Sequence, residues 1–185
     1  MKRIFTPLLL AAVLAPFHAS AKAADGAFFW ELPKTLTVSY GAATVPAPLA
    51  TSNLRLLVWN VHKGEDQRLP QDFAGLSQYA DLSLFQEAVS DQVFTTSIAK
   101  ANEKMGWTLA TSWEVLENTF TGVATGSLVK PLHEEVLVSK VVEPISSTPK
   151  TILVSEFSIE GRADKLLVVN VHGINFVSTS SYRLQ

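Results

Sequence analysis

Two short runs of this 185-residue chain end in side chains that can do chemistry. Leu56-Leu57-Val58-Trp59-Asn60-Val61-His62-Lys63-Gly64 returns 110 residues later as Leu166-Leu167-Val168-Val169-Asn170-Val171-His172-Gly173, and six of the first seven residues match. Side chains alternate across a strand, so Asn60 and His62 share a face with Leu56 and Val58, and Asn170 and His172 share one with Leu166 and Val168. The pattern predicts paired buried strands that each deliver an Asn and a His to a sheet edge. Asn can bond a ligand oxygen, orient a metal-bound water, or cap the turn that follows. Imidazole titrates near neutrality, so His62 and His172 can donate to a phosphate oxygen or protonate a leaving group, or else be held by a loop carbonyl. Glu87, after Gln86, ends another apolar run. A carboxylate there suits a hard divalent cation such as Mg²⁺, which takes oxygen ligands and keeps several waters; the plainer alternative is a solvated strand end. Lys63 and Lys150 are phosphate contacts or ordinary surface lysines.

These residues need elements to position them. Leu54–Trp59 is nearly continuous in apolar residues, as in a strand covered on both faces. Pro70 sits where a helix starts, with Phe73, Leu76 and Tyr79 at helical spacing. Asp81–Glu87 follows as a second strand, which makes a strand-helix-strand unit. Ser90 is a good N-cap with Asp91 in the first turn of a second helix. Val93, Phe94, Ile98, Ala101 and Met105 form its apolar stripe, and Gly106 is a natural stop. Further strands are expected at Trp107–Trp113, Phe120–Val129, Val136–Lys140, Thr151–Ile159 and Leu166–Val171, and a short one is possible within Thr35–Tyr40. Ser178–Ser181 offers N-caps for a helix opening at Tyr182. Alternating strands and helices place the chain in the α/β or α+β class.

Composition narrows the chemistry. Hydrophobic residues make up 47% and charged residues 17%, enough apolar content for a core and too much for disorder. The net charge of −2 advertises no globally basic nucleic-acid-binding surface, so a phosphate ligand needs a local site. The absence of Cys excludes disulfides, zinc-thiolate sites and Cys nucleophiles. Lys2 and Arg3, the apolar run Ile4–Phe17 and the small-residue sites at Ala19–Ala23 read as a signal peptide over 1–23. That predicts an exported chain, periplasmic or secreted, without a stable membrane span in its mature form. Residues 24–52, with Phe28-Phe29-Trp30 and the prolines at 46 and 48, read as an N-terminal extension or linker ahead of a domain over 53–185. Thr121–Ser127 is rich in Gly but lacks a phosphate-loop signature; a strand with close backbone packing fits it better.

Leu56–Asn60, Leu84-Phe85-Gln86-Glu87, Thr121-Gly122-Val123-Ala124-Thr125 and Val168–His172, in that order at strand ends, resemble the endonuclease/exonuclease/phosphatase family with its deoxyribonuclease-I-like fold. Asn170–Phe176 looks especially like a bacterial branch of uncharacterised members. The resemblance covers about Asn53 to the C-terminus. It implies a four-layer α/β sandwich and Mg²⁺- or Mn²⁺-dependent hydrolysis of phosphoesters, nucleic acid among the candidate substrates. Glu87 carries over as the metal ligand and Asn60 as the organiser of the metal and its water. His172 carries over as the group over the scissile phosphate, supported by Asn170, with His62, Lys63 and Lys150 left as substrate contacts. The family also uses a Gly-Asp-x-Asn motif and an Asp-His pair further on, and neither is present. The echo agrees: Asn60 and Glu87 are 27 residues apart, and the same spacing from Asn170 runs past Gln185. These departures imply a C-terminally incomplete sandwich: a catalytically incomplete remnant, or a fragment that a complementing C-terminal fragment would finish.

Overall fold

The computed structural model describes residues 23–24, 27–28, 33, 35–50, 52–144, 147–175 and 177–183. Residues 1–22 of the signal peptide expected over 1–23, and the Phe29-Trp30 part of the extension, lie outside them, as does Phe176.

The strands in chain order are β1 (Ala23–Ala24), β2 (Ala27–Phe28), β3 (Thr37–Gly41), β4 (Leu56–Asn60), β5 (Leu82–Val89), β6 (Gly106–Leu116), β7 (Thr119–Ser127), β8 (His133–Val142), β9 (Pro149–Ser158) and β10 (Lys165–Val171). The helices are α1 (Leu69–Ser77), α2 (Gln92–Ala101) and α3 (Thr179–Tyr182). Among the described residues β1 and β2 pair with each other as a two-stranded sheet. A mixed sheet runs in the order β3-β6-β7-β5-β4, and a second, antiparallel sheet in the order β10-β9-β8. β4, α1 and β5 form the expected unit, with β4 and β5 parallel. Arg55 and Asp81 fix the start of that pair: the Arg55 backbone N–H donates to Asp81 Oδ2 at 2.9 Å, and its guanidinium donates to both carboxylate oxygens. The Arg55 hydrogen bonds hold the Asp81 carboxyl below its ordinary range, against the opposing effect of partial burial.

The five-stranded sheet has two different faces. Phe85, Leu109 and Ala124 face the helices and build a core with Phe73, Phe94, Ile98 and Trp107. Phe85 sits in an aromatic cluster, 5.1 Å from Phe73 and 4.9 Å from Trp107 between ring centroids. The opposite face packs on the second sheet: Leu82 meets Phe157 and Val168, while Ala110 and Val123 meet Leu153. Helices, sheet and sheet therefore give three layers of an α/β sandwich among the described residues. Gly122 belongs to this tight packing, because a Cβ there would lie 1.8 Å from the Ala110 carbonyl oxygen. Among the described residues no helix is long and apolar enough to cross a membrane.

Several expectations need correction. The two echo strands are not paired; β4 and β10 lie in different sheets. β4 is an edge strand covered on one face only: Leu57 and Trp59 pack on the helix-side core, while Leu56 and Val58 remain 56% and 62% exposed. On α1, Leu69, Phe73 and Ser77 are buried, whereas Leu76 is exposed and Tyr79 lies past the helix end. Asp91, not Ser90, caps α2, accepting from the Val93 and Phe94 amides. Ser90 instead accepts from the Phe120 amide. Val93 is exposed, and Gly106 opens β6 rather than closing the helix. α3 starts three residues before Tyr182, with Ser178 as its N-cap.

Several polar side chains bond across the two sheets, Thr151 to the Ala110 carbonyl and Thr108 to Glu134 among them, and Asn170 is the most deeply committed. Asn170, only 1% exposed, accepts from Gln86 Nε2 at 2.9 Å and donates to the carbonyls of Ala124 at 2.9 Å and Phe85 at 3.3 Å. Truncating it strands several buried polar groups at once. Asn170→Ala is expected to lower stability by roughly 1–3 kcal/mol, read as a lower urea midpoint; an unchanged midpoint would refute the clasp.

Candidate functional site

The site forms where β5 breaks its own regularity. Gln86 pairs with Val123 and Ala88 with Gly122, so Glu87 is an extra residue in the ladder. Its φ of +54° is left-handed, a conformation that L-residues with long side chains rarely adopt. The bulge turns the Glu87 carboxylate towards three partners. Asn60 Nδ2 donates to Oε1 at 3.0 Å, Lys63 Nζ lies 3.4 Å from Oε2, and His172 Nε2 lies 3.7 Å from Oε1. Glu87 is thus not the solvated strand end of the plainer alternative; its side chain is 20% exposed.

Each partner arrives from a different element. Asn60 ends β4, and its Oδ1 accepts from the His62 backbone N–H at 3.0 Å, so its amide both holds Glu87 and shapes the next turn. That turn, His62–Gly64, carries three successive left-handed residues, with φ of 46°, 57° and 74°. Gly64 is required there: a Cβ would come within 2.7 Å of the Phe94 ring. The turn points Lys63 at Glu87 and swings His62 outward, where Nδ1 lies 3.3 Å from Glu65 Oε2 and the side chain is mostly exposed. His62 therefore does not share the Asn60 face that strand alternation predicted, because the strand has already ended. His172 follows β10, two residues beyond Asn170.

A pocket of about 140 Å³ opens above Glu87, with Lys63, Lys150 and His172 in its wall together with Trp113, Glu143 and Asn175. Lys150 is not an ordinary surface lysine. Its side chain is 12% exposed, and its Nζ lies 3.2 Å from Glu143 Oε1. Asn175 donates to the same oxygen through its backbone N–H and its Nδ2. The sequence reading missed Glu143, and no local pattern marks it, because it becomes a site residue only through the β8–β9 pairing. Asn175 carried a signal, being part of the run quoted for the family resemblance. Asn170 and Asn60 lie beneath the pocket and support its wall.

The electrostatics are nearly balanced. Burial alone would raise the Glu87 pKa; the Asn60 hydrogen bond and the charges of Lys63 and His172 outweigh it and hold the carboxyl below its ordinary value. His172 is pushed down, first by burial and then by Lys150, with Glu87 and Glu143 opposing. His172 is thus pushed towards its neutral form and Glu87 towards its ionised form. Two lysines then face two carboxylates across a neutral imidazole.

The donor set suits a hard cation in a limited way. Glu87 is one oxygen-donor carboxylate aimed into an open pocket, and Mg²⁺ accepts one or two carboxylates when waters and substrate phosphates complete its shell. No group of three or more His, Cys, Asp or Glu that could hold a metal occurs among the described residues. The fit is therefore to a water-rich, one-carboxylate site.

No family model matches the chain. It is 30% identical over 135 residues to UPF0294 proteins from two strains of Vibrio cholerae serotype O1, a stretch covering 71% of this chain and 45% of each relative. The chain thus spans about half the length of the curated relatives it matches. Among solved structures it is similar to an endonuclease/exonuclease/phosphatase family protein from Leptotrichia buccalis (TM-score 0.48, 18% identity, 66% of this chain and 55% of that one). A second, from Beutenbergia cavernae, aligns with a TM-score of 0.48 at 15% identity over 65% of this chain and 38% of that one. Of the residues quoted for the resemblance to the endonuclease/exonuclease/phosphatase family, Asn60, Glu87, Gly122, Val123, His172 and Asn175 meet around this one pocket.

The charges around His172 can be read directly by NMR titration of its imidazole in chelator-treated protein. Lys150→Met removes a repelling cation and releases Glu143, so the His172 pKa should rise. Glu87→Gln removes an attracting anion, so it should fall. Shifts of the opposite sign would contradict the placement of these groups.

Proposed function

We propose that the pocket hydrolyses phosphoesters, phosphodiesters such as those of nucleic acid first among them, with Mg²⁺ or Mn²⁺ held on Glu87 by a chain exported from the cytoplasm. One observation carries this reading: the strained bulge at Glu87 aims a carboxylate into a pocket where His172, Lys63 and Lys150 converge. Glu87 and His172 come from the motifs quoted for the family resemblance, whereas Lys63 and Lys150 lie outside them.

The charge balance favours a metal-dependent reaction. Without an added cation, the lysines and carboxylates nearly cancel, and the pocket has little net attraction for a phosphate. A divalent cation would polarise the phosphoryl oxygen and offset developing negative charge. Asn60 holds Glu87 in orientation. Lys150 and the neutral His172 offer hydrogen-bond donors to phosphate oxygens, and Glu143 and Asn175 hold Lys150 on that side of the pocket.

A second reading rests on a separate observation. Leu56 and Val58 are exposed on the β4 face turned towards the second sheet, and Leu167, Val169 and Val171 are exposed on β10 at the edge of that sheet. Apolar strand surfaces of this kind suit a further stretch of polypeptide that completes the sandwich and adds a carboxylate opposite Glu87. The share of the relatives' length not spanned here is a candidate source.

Nicking of supercoiled DNA by the purified chain, with and without Mg²⁺, separates the readings. The first predicts turnover that chelation abolishes and that Glu87→Ala and His172→Ala each reduce by a factor of about 100 or more. No turnover from a chain that still unfolds cooperatively would overturn it and favour the second.

A further inference from the structure

The Glu87 carboxylate presents its two oxygens to different partners. Oε1 accepts from Asn60 Nδ2 and faces His172, whereas Lys63 Nζ lies 3.4 Å from Oε2. The partner at Oε2 is thus an ammonium group, already standing where a cation would bind. The ammonium is placed there by a costly piece of backbone, the left-handed turn at His62, Lys63 and Gly64, packed against Phe94. Both side chains are about a quarter exposed or less, 24% for Lys63 and 20% for Glu87, so the pair is only partly screened by water.

We propose that Lys63 is a built-in counter-cation of Glu87, held beside Oε2 until a divalent cation takes its place. This rests on the metal reading of the site given above and adds a regulatory step to it. A divalent cation and an ammonium cannot share one carboxylate oxygen in a half-buried pocket, because their repulsion at such separations is large. The turn fixes the Lys63 backbone, while its flexible four-carbon side chain can swing into the pocket wall it already lines. Cation loading thus competes with the Lys63–Glu87 pair and frees the Lys63 ammonium towards the space where a phosphate would sit. In the cation-free chain the same ammonium stabilises a partly buried carboxylate whose other oxygen is held by Asn60.

Competition makes a directional prediction that a merely structural lysine would not. Mn²⁺ affinity is measured by titration calorimetry on the full chain without substrate, for the parent, Lys63→Asn and Lys63→Arg. Asn tolerates the left-handed conformation at position 63, so the turn is kept, and the unfolding midpoint of each variant checks this. Lys63→Asn should bind Mn²⁺ more tightly, on the order of tenfold, and Lys63→Arg should not. Equal or weaker binding by Lys63→Asn leaves the metal reading standing and overturns the competition. Mn²⁺ binding by none of the three proteins overturns the metal reading and this inference together.

Discussion

The hydrogen bond between Gln86 and Asn170 is the constraint on which the site depends. Gln86 is the last regular residue of β5 before the bulge, and Asn170 is the next-to-last residue of β10. Joining them across the interface, beside the Thr151–Ala110 and Thr108–Glu134 bonds, places the two residues that matter next. Glu87 follows Gln86 directly, and His172 follows Asn170 by two positions. A polar contact does this better than an apolar one, since it is directional and costly to leave unmade. Leu82 against Phe157 and Val168 could tolerate some sliding; an amide bonded to a side chain and two carbonyls could not.

Above that clasp the chain accepts strain where chemistry is placed. His62, Lys63 and Glu87 are three of the non-glycine residues with positive φ, and all lie in or beside the pocket. Each such conformation costs on the order of 1–3 kcal/mol. The aromatic core behind them, centred on Phe85, and the Arg55–Asp81 clamp at the far end of β4 and β5 provide the offset. The result is a frame around a pocket in which two lysines face two carboxylates.

Much of the fold was legible in the sequence because burial is periodic. Long apolar strands such as Leu82–Val89 and Lys165–Val171 declare themselves, and Glu87, Asn170 and His172 stand out as polar ends of such runs. What was not legible arises from three-dimensional neighbours. Leu56 and Val58 look like core residues, but β10 lies over β5 and β7 and leaves β4 bare on that face. His62 follows the strand pattern by spacing, yet a left-handed turn begins there and redirects it. Asp91 wins the cap from Ser90 because the Ser90 hydroxyl is taken by the Phe120 amide. Glu143 sits 56 residues from Glu87 in the chain and meets the site only through the second sheet. Local composition cannot report a contact made by sheet packing.

The central claim is that Glu87 is the cation-holding group of a phosphate pocket, and one crystallographic measurement tests it most directly. Crystals of the chain grown with Mn²⁺ and inorganic phosphate should show an anomalous difference peak about 2.1 Å from a Glu87 carboxylate oxygen. The phosphate should lie between that peak and the side chains of His172 and Lys150. A peak elsewhere, or a phosphate bound by the lysines with Lys63 still paired to Glu87 and no cation present, would contradict the account.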